Sequence, residues 1–269
     1  MYGGVRAWLG LSESKRLPVE LLFRVALALQ CVGLYFYFRA GSSLEAYLFL
    51  DRGWEQAQSR QVDVVLAYLH LGVAIFWLLR PTVVLAVILG CLQVLVTYMT
   101  WYQGGAHFTE WAFFTQAIRM LSYPAFVFWV WGYPKVSAWV LRVGLGLTFF
   151  SHGLEALYQH PHFIDYLIGT ARQFGFRLRE AQAVQLLRII GVVDVLVAVW
   201  VLVRPWRGVL FWMAFWGLLT AFSRLTELGL AQYPQVLLRS LNFLGPLLLW
   251  LLTFHFRSSE GDAKLSAGD

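Results

Sequence analysis

The side chains able to do chemistry are few, and most lie inside apolar runs. His152 and Glu155 stand three apart within residues 141–157, so on a helix they share one face. An imidazole beside a carboxylate can hold and pass on a proton, or it can simply close as a hydrogen-bonded pair at the membrane interface. Arg119 and Arg239 interrupt two further apolar runs, with Thr115, Gln116 and Ser122 on the face of the first and Gln235 and Asn242 on the face of the second. A guanidinium in such a stripe can donate to an anionic or carbonyl-bearing head group, for example a quinone oxygen, or it can clamp a neighbouring helix. Asp194 falls in the middle of another run, with Arg142, Arg188 and Arg239 as its candidate partners. On this reading His152, Glu155 and Asp194 handle protons, while Arg119, Arg142, Arg239 and Asn242 hold a polar head group.

These residues matter because of the solvent around them. The chain has 269 residues, of which 59% are hydrophobic and 13% charged, and its mean hydropathy is +0.62. Soluble domains carry about twice that share of charge. Several runs reach the roughly 20 apolar residues that cross a bilayer, and many aromatics sit near the run ends, as interfacial belts require. An ionisable side chain at that depth costs about 2.5–3.5 kcal/mol on insertion scales, so each needs a partner or a task. The net charge of +6 is spread over loops and helix ends, which fits orientation signals and anionic lipid, not nucleic acid.

Other chemistries find little support. Cys31 and Cys91 are far apart inside apolar runs, without metal-finger or redox spacing, so no metal site is assigned. Haem is disfavoured: His70, His152 and His255 are the span candidates and they differ in depth. His160-Pro161-His162 reads as a solvated loop. No P-loop, nucleophile elbow, HExxH or dinucleotide turn is present.

The chain reads as all-α and integral to a membrane, with eight transmembrane helices arranged as two tandem four-helix bundles. Residues 1–18 form an interfacial segment, 19–133 the first repeat, 134–256 the second and 257–269 a mobile tail. Pro18 opens the first span. The halves match in order: Arg24-Val25 with Arg142-Val143, Gly33 with Gly153, Arg80-Pro81 with Arg204-Pro205, and Arg119 with Arg239 inside a shared polar spacing. His70 and Asp194 stand equally far before their Arg-Pro turns. Each half has one long connection carrying an apolar island, at 46–50 and 163–168. Positive charge on the N-terminal segment, the Arg-Pro turns, Lys135 and the tail places both termini in the cytoplasm of a cell's inner (plasma) membrane.

One stretch carries a family likeness. From Arg142 the chain runs through Gly144 and Gly146 to His152-Gly153-Leu154-Glu155-Ala156-Leu157. This resembles the DoxX family of small four-helix membrane proteins, which opens with an Arg, a small-residue-rich apolar run and then HGxxKL. The likeness spans about 136–252 and, more weakly, 21–131. Ala156 replaces the usual Lys, and the first half has Val32-Gly33 in place of His-Gly. The resemblance implies a redox- or quinone-linked membrane subunit that docks a redox partner. From the residues alone, a non-catalytic scaffold or assembly subunit of a larger membrane complex, or a transporter with a path beside Asp194, fits as well. Membrane lipids and protein partners are expected, nucleic acid is not.

Overall fold

The computed structural model describes residues 13–255, and every described element is helical. The expected interfacial segment before residue 13 and the tail at 257–269 lie outside these. Helix α1 (Glu13–Ala40) leads into a short α2 (Ser43–Ala46) and a wider turn (Tyr47–Asp51). Then come α3 (Gln56–Leu79), α4 (Val83–Gln103), α5 (Ala112–Thr115) and α6 (Ala117–Val130). The second half follows the same order. It runs through α7 (Pro134–Leu157), α8 (Pro161–Gln173), α9 (Glu180–Val203), α10 (Arg207–Leu228), α11 (Tyr233–Leu238) and α12 (Ser240–Trp250). Pro18 lies within α1, so the first helix begins earlier than its proline suggests. The two expected islands fall in α2 with its following turn and in α8.

Punctuation is shared between the halves. The extended residues Thr82 and Trp206 stand just before α4 and α10. Gly104 and Gly229 end the same two helices at positive φ, where a side chain would be strained. Arg24 donates to the Leu78 carbonyl near the end of α3, and Arg142 donates to Val201 and Leu202 near the end of α9. Both arginines thus satisfy terminal carbonyls left without an intrahelical partner.

Among the described residues five helices are long and apolar enough to cross a membrane: α1 with its extension to Asp51, α3, α4, α9 and α10. Residues 230–238 and 240–254 form a pair bent by 41° that makes a sixth if it is one span. The remaining stretches fall outside this set for visible reasons. The α5–α6 stretch is broken at Gln116, which leaves 14 residues in α6, about 21 Å at 1.5 Å per residue and short of a 30 Å core. Helix α7 carries Lys135, Arg142, His152 and Glu155, which lower its apolarity.

Polarity is arranged as a bilayer demands. Val65, Ile75, Val84, Ile189, Leu196 and Phe215 point outward and are exposed, while Asp63, His70, Gln93, Asp194 and Arg224 are buried. So much exposed apolar surface would be a liability in water, whereas lipid is the matching solvent.

Packing defines the centre. Helix α1 packs chiefly on α3, and α7 on α9. The interrupted stretches also cross the middle of the chain: α6 packs on α7, while α11 and α12 pack on α1 and α12 also on α10. Glycines permit these approaches. A Cβ at Gly33 of α1 would lie 2.5 Å from the Leu238 nitrogen, and one at Gly144 of α7 would lie 3.1 Å from the Ile118 Cα. Between α7 and α9, Gly153 and Gly191 meet directly, each Cβ position falling within 3 Å of the other's carbonyl oxygen. Small residues at close crossings are the usual way membrane helices gain packing contact.

Candidate functional site

The two breaks position the site. Gln116 and Arg239, the junction residues, adopt nearly the same backbone conformation, φ −103°, ψ 9° and φ −101°, ψ 10°. At the first break the buried Thr148 of α7 inserts its hydroxyl. Ile118 N–H donates to Thr148 Oγ1 at 3.0 Å, and that hydroxyl lies 3.4 Å from the Phe114 carbonyl. A side chain wedged into the i→i−4 ladder is a known cause of kinks. At the second break Ser240 Oγ donates to the Ala26 carbonyl of α1. Irregular backbone at membrane depth is tolerated where protein or a polar cavity can satisfy it, and discontinuous helices mark ligand sites in several transporter folds.

Three guanidinium groups gather beside these breaks. Arg119 lies in the first turn of α6, Arg239 at the start of α12 and Arg224 in the last turns of α10. Arg239 is within electrostatic range of Arg224, Arg119, Tyr166 and Glu155. Arg224 is buried, and Arg119 and Arg239 are partly buried, each keeping some exposed surface. Arg239 Nη1 donates to the Gln235 side chain at 2.7 Å and to its backbone carbonyl at 3.1 Å. Arg224 Nη1 donates to the Thr220 carbonyl at 2.6 Å, and the guanidinium sits 4.9 Å from the Tyr166 ring centre. The Nε atoms of Arg119 and Arg224 are buried without a hydrogen-bond partner.

His152 and Glu155 close as a pair, Nδ1 to Oε2 at 2.7 Å, with Glu155 buried and His152 half-buried. The helix period therefore placed them together, and Glu155 belongs to the arginine neighbourhood. A buried amide chain approaches from the other side. Gln30 Nε2 donates to Gln93 Oε1 at 2.8 Å, and Gln93 Nε2 and Thr97 Oγ1 both donate to Gln116 Oε1. This chain ties α1, α4 and the first break together.

Not all expected residues join. Arg142 is engaged by the terminal carbonyls of α9, ten residues before His152 on the same helix and so about 15 Å away along it; in the structure it caps that helix end. Asp194 has none of its candidate arginine partners. Its Oδ2 accepts from Trp216 Nε1 at 3.4 Å, its Oδ1 is buried without a partner, and Arg188 is exposed. Asn242 stands in the first turn of α12 with its Oδ1 buried and unpartnered, and its carbonyl lies under Gly217. Among the other ionisable span residues, Asp63 accepts from both the amide and the hydroxyl of Ser42 and so anchors the α1–α2 turn. His70 is bonded to the Leu66 carbonyl and stacked on Phe38.

Of the two loop histidines His162 is exposed as expected, whereas His160 is not. His160 is buried, stacked between Phe108 and Phe163, and its Nδ1 accepts from His162 N–H at the start of α8. Burial lowers its pKa, outweighing the nearby Glu155. Among the described residues no group of three or more His, Cys, Asp and Glu side chains is arranged to hold a metal ion.

Arg224 and Tyr166 are the members that sequence reasoning missed. Arg224 stands past the apolar run of α10, in the helix's more polar last turns. The 3–4 spacing of Thr220, Ser223, Arg224 and Glu227 was the signal that α10 continues. No protein-family model, curated protein or solved structure matches the chain.

Proposed function

We propose that the chain is an integral-membrane subunit of eight crossings, built from two four-helix repeats that each lend their broken fourth helix to the other. Between them it binds the polar head of a membrane-soluble ligand. The observation that carries this is the gathering of Arg119, Arg224 and Arg239 beside two helix breaks. The likeness to the DoxX family makes a quinone the ligand and a redox-linked role, docked to a partner enzyme, the activity. Guanidinium N–H groups would donate to the ring carbonyls, and the His152–Glu155 pair would hold one of the two protons that full reduction of such a ring by the partner enzyme's electrons requires. The membrane is the cell's inner membrane, with both termini cytoplasmic. Arg80, Lys135, Arg204 and Arg207 then lie on the cytoplasmic side, and the arginine cluster lies towards the opposite face under α8.

The test is extraction of quinone from protein purified with native lipid, wild type against Arg239→Leu. Quinone recovered from the wild type and lost from the variant is the expected result. Its absence from both removes the quinone-linked reading.

A second reading, an assembly subunit of a larger complex, is favoured by the outward aromatics of α9 and α10. Trp200 and Trp206 stack at 6.4 Å, Trp212 and Trp216 at 5.8 Å, and Trp200, Trp206 and Trp212 are exposed. A stoichiometric partner in gentle purifications, without any bound quinone, supports it.

A further inference from the structure

The charge balance of the cluster says more about its ligand than the resemblance does. Three guanidinium groups stand together, and the carboxylates near them are Glu155, which is within range of Arg224 and Arg239, and Glu227, three residues after Arg224 on α10. Glu155 is already bonded to His152. Among the described residues none of the three arginines forms an ion pair. Their protein partners are neutral: the Gln235 amide, backbone carbonyls and the Tyr166 ring. Arg119 has no side-chain hydrogen bond at all among those residues, and its Nε is buried.

Helix polarity adds to the excess. Arg119 sits in the first turn of α6 and Arg239 just before α12, and helix N-termini carry partial positive charge. Cations are disfavoured there, while anions are bound there readily. A neutral carbonyl offers hydrogen bonds but no compensating charge. An oxyanion offers both, and the planar guanidinium fork matches carboxylate and phosphate oxygens in particular.

We infer that the Arg119–Arg224–Arg239 cluster binds an oxyanion, a phosphate or carboxylate group, beside the two helix breaks. This rests on the reading of the cluster as the ligand site, though not on that ligand being a quinone. The group could arrive on a lipid head or as a free ion, since the chemistry recognised is the same.

The experiment places the full chain in phosphatidylcholine nanodiscs and follows thermal unfolding in two arms. One adds inorganic phosphate against chloride at equal ionic strength. The other replaces part of the lipid by phosphatidic acid. A ligand that binds only the folded state raises the midpoint with concentration, and a rise in either arm identifies the source. Arg239→Gln and Arg119→Gln should each weaken the response roughly tenfold or more, as loss of a charge-assisted hydrogen bond implies; Arg188→Gln should not. Should the cluster variants fail to fold, modification of the wild type with butanedione replaces them, with Arg119 and Arg239 expected to be protected by the anion and Arg188 not. No midpoint rise in either arm, or a rise retained in both cluster variants, overturns the inference, and so does equal labelling with and without anion. A protein that yields no quinone yet responds to the anion keeps this inference and loses the quinone reading; quinone without an anion response does the reverse.

Discussion

Thr148→Val is the most informative single change, because it exchanges a hydroxyl for a methyl of similar size. Thr148 is fully buried, so no water can replace its oxygen at Ile118. The substitution strands the Ile118 N–H, now bonded at 3.0 Å, and withdraws the weaker 3.4 Å contact to Phe114. One buried donor without a partner costs about 1–3 kcal/mol. Thr100→Val is the control. Thr100 Oγ1 donates to the Val96 carbonyl within its own helix, and that carbonyl also accepts a main-chain N–H, so its loss should stay within about 0.5 kcal/mol. Unfolding by SDS in mixed micelles measures both, and hydrogen exchange at the Ile118 amide reports the break directly. The expected result is a Thr148→Val penalty in the stated range with faster exchange at Ile118. Equal stability of the two variants with unchanged exchange would refute the account of how α5 and α6 are separated.

Further expectations follow from the same contacts. Gly191→Val must part α7 and α9, since its Cβ position is 2.7 Å from the Gly153 oxygen. It should cost about 1–3 kcal/mol in SDS unfolding, whereas Gly72→Val, with nothing within 4 Å of its Cβ position, should cost little. Arg142→Met keeps the apolar stem but releases the Val201 and Leu202 carbonyls, with an expected loss of about 1–3 kcal/mol and early fraying of α9 by hydrogen exchange. His160 has a depressed pKa in the folded protein, so the unfolded chain binds its proton first. Its contribution is whole above the ordinary value of 6.5 and declines as pH falls from there towards the folded-state value. Thermal midpoints should therefore drop over that acidic interval, and His160→Asn, which can still cap α8, should flatten the drop.

Much of the scaffold was legible in residue order. Arg24 and Arg142 were matched by spacing, and both turned out to bond the terminal carbonyls of the helix that follows in their half. His152 and Glu155 were joined by helical period, and the apolar islands at 46–50 and 163–168 were marked within the long connections, though not as the helical elements they form. The breaks were not legible. No proline or glycine stands at Gln116, and the interruption comes from Thr148, remote in sequence and supplied by another helix. The packing of α6 on α7, and of α11 and α12 on α1, was equally hidden, since short links such as Gly132-Tyr133 allow either neighbour. Asp194 was assigned an arginine because burial of a lone carboxylate is costly. The structure gives it an indole N–H instead, and the arginines collect elsewhere.

The measurement that bears most directly on the central claim is an experimental density map of the protein purified with its native lipid. The account predicts non-protein density within hydrogen-bonding reach of Arg119 and Arg239, between α6, α7 and the α11–α12 break. Guanidinium groups paired instead with Glu155 and Glu227, and no density between the helices, would contradict it.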